Sequence, residues 1–418
     1  MDDLQEENKS VSGKKGVFLA GILFFLFMFL KQFYLFPSGG IGAADVCLIA
    51  SFFVLFCGCV KKKETILEIR EDGLFYVFLL FVLVINAYYG IWLGNGVFFH
   101  YTFFWIYNAC AIWTFRKLVS QDGAMFLTWV NRIAKVNIVV QLAVYVSGHG
   151  RIFHEYWGAE RYQGTFNDPN QLAFFLFMMV LLLYLYRCEF GDRTFPVFYL
   201  LALPVIVASK STGILLGFLV FTAAAGLYAL YHAGRRRNVP AKVWGIGLGG
   251  GLLLFCLFLW WIWPAADFDV KTMDYNMLTR IQEKIWKVAH GGLLGLFLDR
   301  GMEKLVLYPQ YLLYGAGEGG FERFTLASQI NEIHCCLFSV LFCYGIVPTI
   351  CLLIWLARNL RRMNAAMMCA VAGLLVESFF LVNYRQPMFW MILLYGSVVW
   401  DTRGKVNLAV FYSNVGIL

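Results

Sequence analysis

Long apolar runs, each closed by a basic cluster, a glycine pair or a proline turn, recur from one end of the chain to the other. They predict spans near 16–33, 41–60, 74–94, 98–115, 126–147, 170–186, 195–209, 211–232, 243–263, 333–356, 364–383 and 387–400. A helix of about 20 residues crosses the roughly 30 Å hydrocarbon core of a bilayer. A lipid-facing backbone must satisfy its own hydrogen bonds, so every span is predicted to be helical. The polar start, Met1 to Lys15, precedes an apolar run as in a signal peptide, but that run is long and another span follows closely. This predicts an uncleaved first helix.

Composition agrees with the pattern. With 60% hydrophobic residues, 14% charged and a mean hydropathy of +0.67, the chain is not a single soluble core, a disordered tail or a nucleic-acid module, and no nucleic acid is expected as partner. The net charge of +8 is informative only when read loop by loop. Most of the 34 basic residues, including Lys61 to Lys63, Arg116, Lys117, Arg235 to Arg237 and Arg358 to Arg362, fall in the short loops of one side. That asymmetry predicts two cytoplasmic termini. The expected organisation is an all-α polytopic membrane protein of about twelve helices. Residues 1–265 hold nine spans with an outer loop at 148–170, 266–332 form one large outer loop, and 333–418 hold three spans and a cytoplasmic tail. No internal repeat is visible, which counts against a secondary transporter. Eleven cysteines, without a CxxC pair, point to neither disulfides nor a metal.

Candidate chemistry gathers in the outer loops. The stretch GHGRIFHEYWGAERYQGTFNDPN is far richer in charge and aromatics than a connection between two helices needs. In it, Gly164 permits a tight turn, and Asp168-Pro169 starts a helix. Either the free N–H groups of that helix attract an anion with Arg161 nearby, or the helix is simply capped and the arginine solvated. Between spans seven and eight, Lys210 stands among Ser209, Ser211 and Thr212, suited to hold a phosphate as a point charge or to snorkel. In the large loop, Leu278, Ile281, Ile285 and Val288 recur at helical spacing, with Arg280, Lys284 and Lys287 on another face. That basic stripe either lies along headgroups or aims one arginine into a cleft. The run from Gly315 to Gly320 formally contains GxGxxG, but no strand precedes it, so it is read as a flexible turn. The lone Asp267-Phe268-Asp269 does not imply a metal. His334, two residues after Glu332, is a candidate neutral base at the mouth of a helix bundle, the bland alternative being a polar interface residue. Glu377, within span eleven, is expected to face the bundle interior, and Arg385 to cap the last hairpin.

Taken together, several segments resemble the O-antigen polymerase and O-antigen ligase superfamily. RYQGTFNDPNQLAFF resembles its Arg-x-x-Gly-x-Phe-x-x-Pro-Asn signature, and SKSTG its short Ser-Arg or Thr-Arg turn. LTRIQEKIW resembles its arginine-containing start to the large loop, and LLYGAGEGGF followed by EIHCCLFSVLFCYGI its glycine turn and histidine entry. The order and layout agree over most of the chain. Lys210 departs from the family's usual arginine, keeping the charge but losing the bidentate fork.

The resemblance implies a glycosyltransferase-C-like fold and metal-independent, inverting glycosyl transfer on the outer face of a bacterial cytoplasmic membrane. The donor is a polyprenyl-diphosphate-linked glycan, with no nucleotide sugar and no cofactor. Arg161, Arg280 and Lys210 are expected on the diphosphate and His334 as the base. Asn170, Tyr162, Glu318, Glu332 and Arg385 are expected to bind substrate, Tyr162 with Tyr156 and Trp157 by stacking on sugars. The leading expectation is a repeat-unit polymerase, because Glu332-Ile333-His334 looks like the polymerases' histidine segment. Such an enzyme takes a lipid-linked oligosaccharide as both donor and acceptor, in the bilayer, beside a flippase and a chain-length regulator. A ligase for finished glycan and a lipid-linked oligosaccharide flippase are the alternatives.

Overall fold

The computed structural model describes residues 2–34, 41–64, 69–155, 159–236, 253, 256–265, 268–269, 274–327 and 331–414. The chain is mainly helical. The first half runs α1 (Asp2–Leu30), α2 (Ala43–Lys62), α3 (Ile69–Trp92), α4 (Val97–Val146), a hairpin of β1 (Arg151–His154) and β2 (Glu160–Gly164), α5 (Pro169–Phe190), α6 (Phe195–Ala208) and α7 (Thr212–Arg236). The second half holds α8 (Met277–Asp299), two four-residue helices, α9 (Lys304–Leu307) and α10 (Tyr311–Tyr314), then α11 (Cys336–Tyr344), α12 (Ile346–Leu360), α13 (Ala365–Glu377) and α14 (Pro387–Asn414). Among the described residues, four helices are long and apolar enough to cross a membrane: Ala43–Lys62, Arg70–Trp92, Pro169–Phe190 and Thr212–Arg235. Shorter apolar helices accompany them. The predicted ninth span, 243–263, lies mostly outside the described residues, as do Tyr156, Trp157 and Asp267.

Spans four and five appear as one 50-residue element, α4, broken at Asp122 (φ −148°, ψ 82°). A straight helix would set Phe115 and Phe126 about 16 Å apart along its axis, but their rings lie 6.1 Å apart and both contact Phe24. The chain therefore reverses at Asp122. The predicted tenth span is likewise split, into α11 and α12, at Gly345 (φ +81°), where a side chain would strike the Leu313 backbone. The segment 148–170, read only as a loop, contains the antiparallel hairpin, with Ile152 opposite Tyr162, Phe153 opposite Arg161 and a register shift at Arg151.

The core is organised on α5. Its residues from Leu172 to Leu185 are all buried, as expected of a helix apolar on every face and surrounded by others. Around it, α1 packs on α2, α7 on α13, and both arms of α4 on their neighbours. Gly217 and Gly373 bring α7 and α13 into backbone contact: a Cβ on either would lie 2.7 Å or less from atoms of the other helix. Small residues at helix crossings serve this close approach where lipid supplies no hydrophobic drive. The outward faces carry exposed Phe18, Leu80, Ile91 and Leu200, an apolar exterior suited to lipid.

One buried polar cluster ties the hairpin end together. Glu318 is fully buried, and its carboxylate accepts from Trp105 Nε1 (2.9 Å), Tyr344 OH (2.5 Å), Tyr384 OH (2.7 Å) and Arg385 Nε and Nη2 (2.9 and 2.5 Å). Its own N–H donates to Asn86 Oδ1 at 2.8 Å. The run from Gly315 to Gly320 is thus not the flexible turn expected: every residue is buried, and the Ala316 and Gly317 N–H groups bond the carbonyls of Phe342 and Cys343. Truncating one partner of a buried ion pair costs about 3–5 kcal/mol. Glu318→Ala should therefore lower the thermal unfolding midpoint in detergent sharply, whereas Glu322→Ala, at the exposed neighbour, should leave it unchanged. Equal midpoints for the two variants would show that the cluster bears no weight.

Candidate functional site

Two cavities lie at the hairpin end and share Asn170 and Leu381 in their walls. The smaller, about 210 Å³, is lined by Arg161, Lys210, Arg280, Lys284 and Arg300, with Asp299 the single carboxylate in the lining. Each cation arrives on a different kind of support. Arg161 sits on the buried face of β2, where its Nε donates to Ser209 O (3.1 Å) and its Nη2 to Asn170 Oδ1 (2.9 Å). Lys210, held in the left-handed region (φ +53°), donates to the carbonyls of Glu160 (2.7 Å) and Tyr275 (2.5 Å). It also lies 4.7 Å from the centre of the Tyr275 ring.

Arg280 and Lys284 stand one turn apart on α8, which Asn276 opens with a capping box. Arg280 pairs with Glu283 at 2.7 Å, while its Nε is buried without a partner in the protein. Arg300, just past the end of α8, donates to the Phe380 carbonyl at 2.5 Å. The third basic residue of the predicted stripe, Lys287, is exposed and pairs with Glu283 at 3.0 Å instead of lining the cavity.

Like charges so close do not stabilise a fold. At an effective dielectric near 20 and separations of several ångström, each uncompensated pair costs on the order of 2 kcal/mol. Burial first, and repulsion second, moves their protonation equilibria. Burial, then Arg280, lowers Arg161, and burial likewise lowers Lys210 and Arg300. Burial, reinforced by Arg280 and Lys287, brings Lys284 down to about 8. The start of α7 adds to this field, since Ser211, Thr212 and Gly213 line the cavity and first-turn N–H groups have no carbonyl within their own helix. The surplus of positive charge is chemically suited to an anion of more than one charge.

Of the two readings of the start of α5, the capped helix is the one that forms. The Asp168 carboxylate takes the N–H groups of Asn170 (2.7 Å) and Gln171 (3.1 Å), so that end is capped, and the open helix end at the cations belongs to α7. Asn170 instead positions neighbours, its Oδ1 accepting from both Arg161 and Ser211 Oγ (2.8 Å).

The larger cavity, about 750 Å³, holds His334, Glu332 and Arg385 in its lining. The His334 N–H donates to Arg300 O at 2.9 Å, which fastens the histidine backbone to a residue of the cationic cavity. Burial holds the imidazole below its ordinary value. Glu332 pulls it upward, but Arg300, Arg385 and Lys304 push down again. The ring is neutral at neutral pH and able to accept a proton.

Of the expected substrate contacts, Glu318 and Tyr162 lie elsewhere and Arg385 is tied up in ion pairs at the cavity wall. Glu318 lines neither cavity and its oxygens are saturated by donors, so it serves the fold. Arg385 borders the large cavity but is committed to Glu318 and Glu332 (2.5 Å to each). Burial disfavours its charge, and Glu318 with its neighbours outweighs that, raising it well above the usual arginine range. Tyr162 lines neither cavity and packs edge-on to Tyr145 at 5.0 Å. Conversely, Lys284, named in the sequence only as part of the basic stripe, and Arg300, which was not named, join the cationic group. The Arg280 to Lys284 spacing was the available signal for one, and nothing in the sequence marks the other.

Compared with known proteins, the chain matches no family model and no curated relative.

The Lys284 shift gives a direct test. An ammonium with a pKa of about 8 is charged below that pH and lost above it, so affinity for a diphosphate diester, whose own charge is constant there, should fall as pH rises through 8. Lys284→Arg should remove that fall, because a guanidinium stays charged. Wild-type binding that is flat from pH 7 to about 9 by titration calorimetry would remove Lys284 from the anion site.

Proposed function

We propose that this chain is a membrane glycosyltransferase acting on polyprenyl-diphosphate-linked glycans, in the polymerase role. The observation that carries the reading is the cationic cavity of Arg161, Lys210, Arg280, Lys284 and Arg300, walled by Asn170 and Leu381 from the cavity that holds His334. A diphosphate in the smaller cavity presents its glycosidic carbon toward that shared wall. The acceptor sugar hydroxyl gives its proton to a ring nitrogen of His334 while its oxygen attacks the anomeric carbon. The bond from that carbon to the phosphate oxygen breaks, and polyprenyl diphosphate leaves with the electron pair. Attack opposite the leaving group inverts the centre. As charge grows on the departing oxygen, the fixed cations stabilise it more than they stabilise the ground state.

The same reading takes the chain as a twelve-span bundle with cytoplasmic termini and the cavities on the extracytoplasmic side. The motif order in the sequence supports it, as does the reversal at Asp122, which separates two crossings. A flippase finds less support: Glu377 is bonded to Asn383 and forms no ion pair among the described residues, where a transport path needs charges on several helices. Ligase chemistry would use the same cations and histidine with a different acceptor.

With purified protein in nanodiscs and a defined polyprenyl-diphosphate oligosaccharide, mass analysis should show ladders of added repeat units. His334→Ala should lose about 10²- to 10⁴-fold in rate with donor binding retained. The acid limb of the wild-type rate should fall below the ordinary imidazole range, following the direction in which burial moves His334. Undiminished turnover by His334→Ala would remove the base. Product extended only onto an unlike acceptor, never onto a second lipid-linked unit, would make the chain a ligase.

A further inference from the structure

The two adjoining cavities differ in the charge they present. In the smaller, five cations share the lining with one carboxylate; Glu155 and Glu283, outside the lining, pair with Arg161 at 3.5 Å and Arg280 at 2.7 Å, which leaves a positive surplus. In the larger, the fixed cations are already paired: Lys31 with Asp45 at 2.8 Å, and Arg385 with Glu318 and Glu332. Asp168 is turned to its own helix end. What remains is a wall of aromatic side chains, among them Tyr34, Phe103 and Phe104, interrupted by the amides Asn170, Gln171 and Asn383. The Gln171 Oε1 is buried and has no partner within the protein. His100, at the rim, is exposed, with its ring edge-on to Phe104 at 4.9 Å.

Aromatic faces accept the C–H surface of a pyranose, and amides and carboxylates exchange hydrogen bonds with its hydroxyls. An anion gains nothing from cations that are already neutralised, and it meets Asp45, Asp168 and Glu332 in the same wall. We propose that the larger cavity is a second binding site, for an uncharged oligosaccharide that offers its terminal hydroxyl to His334. The inference rests on the transferase reading for the word acceptor, and on the cavity itself for the ligand class. It divides the labour of the hairpin end: anionic donor head in one chamber, neutral acceptor glycan in the other, histidine in the acceptor chamber beside their common wall.

The test is saturation-transfer NMR on the full chain in nanodiscs. It uses neutral tetrasaccharides built of glucose, galactose or N-acetylglucosamine, and tetragalacturonate as an anionic match in size. At least one neutral tetrasaccharide should bind and tetragalacturonate should not. Gln171→Ala should weaken neutral binding about fivefold, the loss of one uncharged hydrogen bond. His100→Ala, at an exposed position that leaves the fold intact, should weaken it in the same sense, and Arg280→Ala should leave it unchanged. Failure of all three neutral sugars, binding of tetragalacturonate at equal strength, or wild-type affinity in both cavity variants would overturn the proposal. Glycan binding that depends on Gln171 in a protein without transferase activity would sink the proposed function and leave this site standing. Diphosphate binding and transfer without any glycan binding would do the reverse.

Discussion

The buried pairing of Glu318 with Arg385 is the constraint on which the hairpin end depends. A carboxylate wholly removed from water is tolerable only when its lone pairs are taken up, and Glu318 meets that condition with donors from α4, α11 and the turn before α14. These elements are far apart in sequence, and Glu318 takes a donor from each. Arg385 passes the constraint on by reaching Glu332, two residues from His334. The histidine is held from two directions, through this pair and through its backbone bond to Arg300.

Beyond that pairing, the functional surface is organised by where charge is neutralised and where it is left over. Nearly every cation of the large cavity has a carboxylate beside it, and the small cavity keeps a surplus. The separation follows from chain topology. β2, the turn between α6 and α7, and α8 each deliver one or two cations, and acids answer them only in part: Glu155 of the hairpin pairs with Arg161 at 3.5 Å, and α8 brings Glu283 and Asp299. Glu283 is shared between Arg280 and Lys287, and so covers only part of the excess.

Much of this was legible in the pattern of residues. Helix positions followed the apolar runs because burial and backbone satisfaction leave few options for such segments. Arg161, Lys210, Arg280 and His334, though scattered through nearly two hundred residues, were marked by local context, and three of them do meet at one cavity. The errors have a common physical origin. Glu318 looked like a loop acid and Arg385 like a cap because a sequence does not show that two charges will be buried against each other. The glycine run looked mobile because glycine is as useful for close backbone approach as for freedom, and here Gly317 abuts Phe98 and Tyr89. Arg300 stands just past the end of a helix broken at Gly292, so its direction could not be read from a regular period.

Lys210 has a double engagement that complicates any genetic reading of this protein. Its ammonium ties the carbonyl of Glu160 on the hairpin to that of Tyr275 before α8, across the turn that begins α7. It is a strut between three segments as well as a charge in the cavity. A screen that scores loss of activity will flag position 210 whichever role matters, since removing the side chain both frees the hairpin and subtracts a cation. Substitutions there separate the two roles only when the replacement keeps one and lacks the other: a neutral long-chain donor such as glutamine retains part of the strut without the charge. Position 210 cannot stand as a reporter of ligand contact by itself.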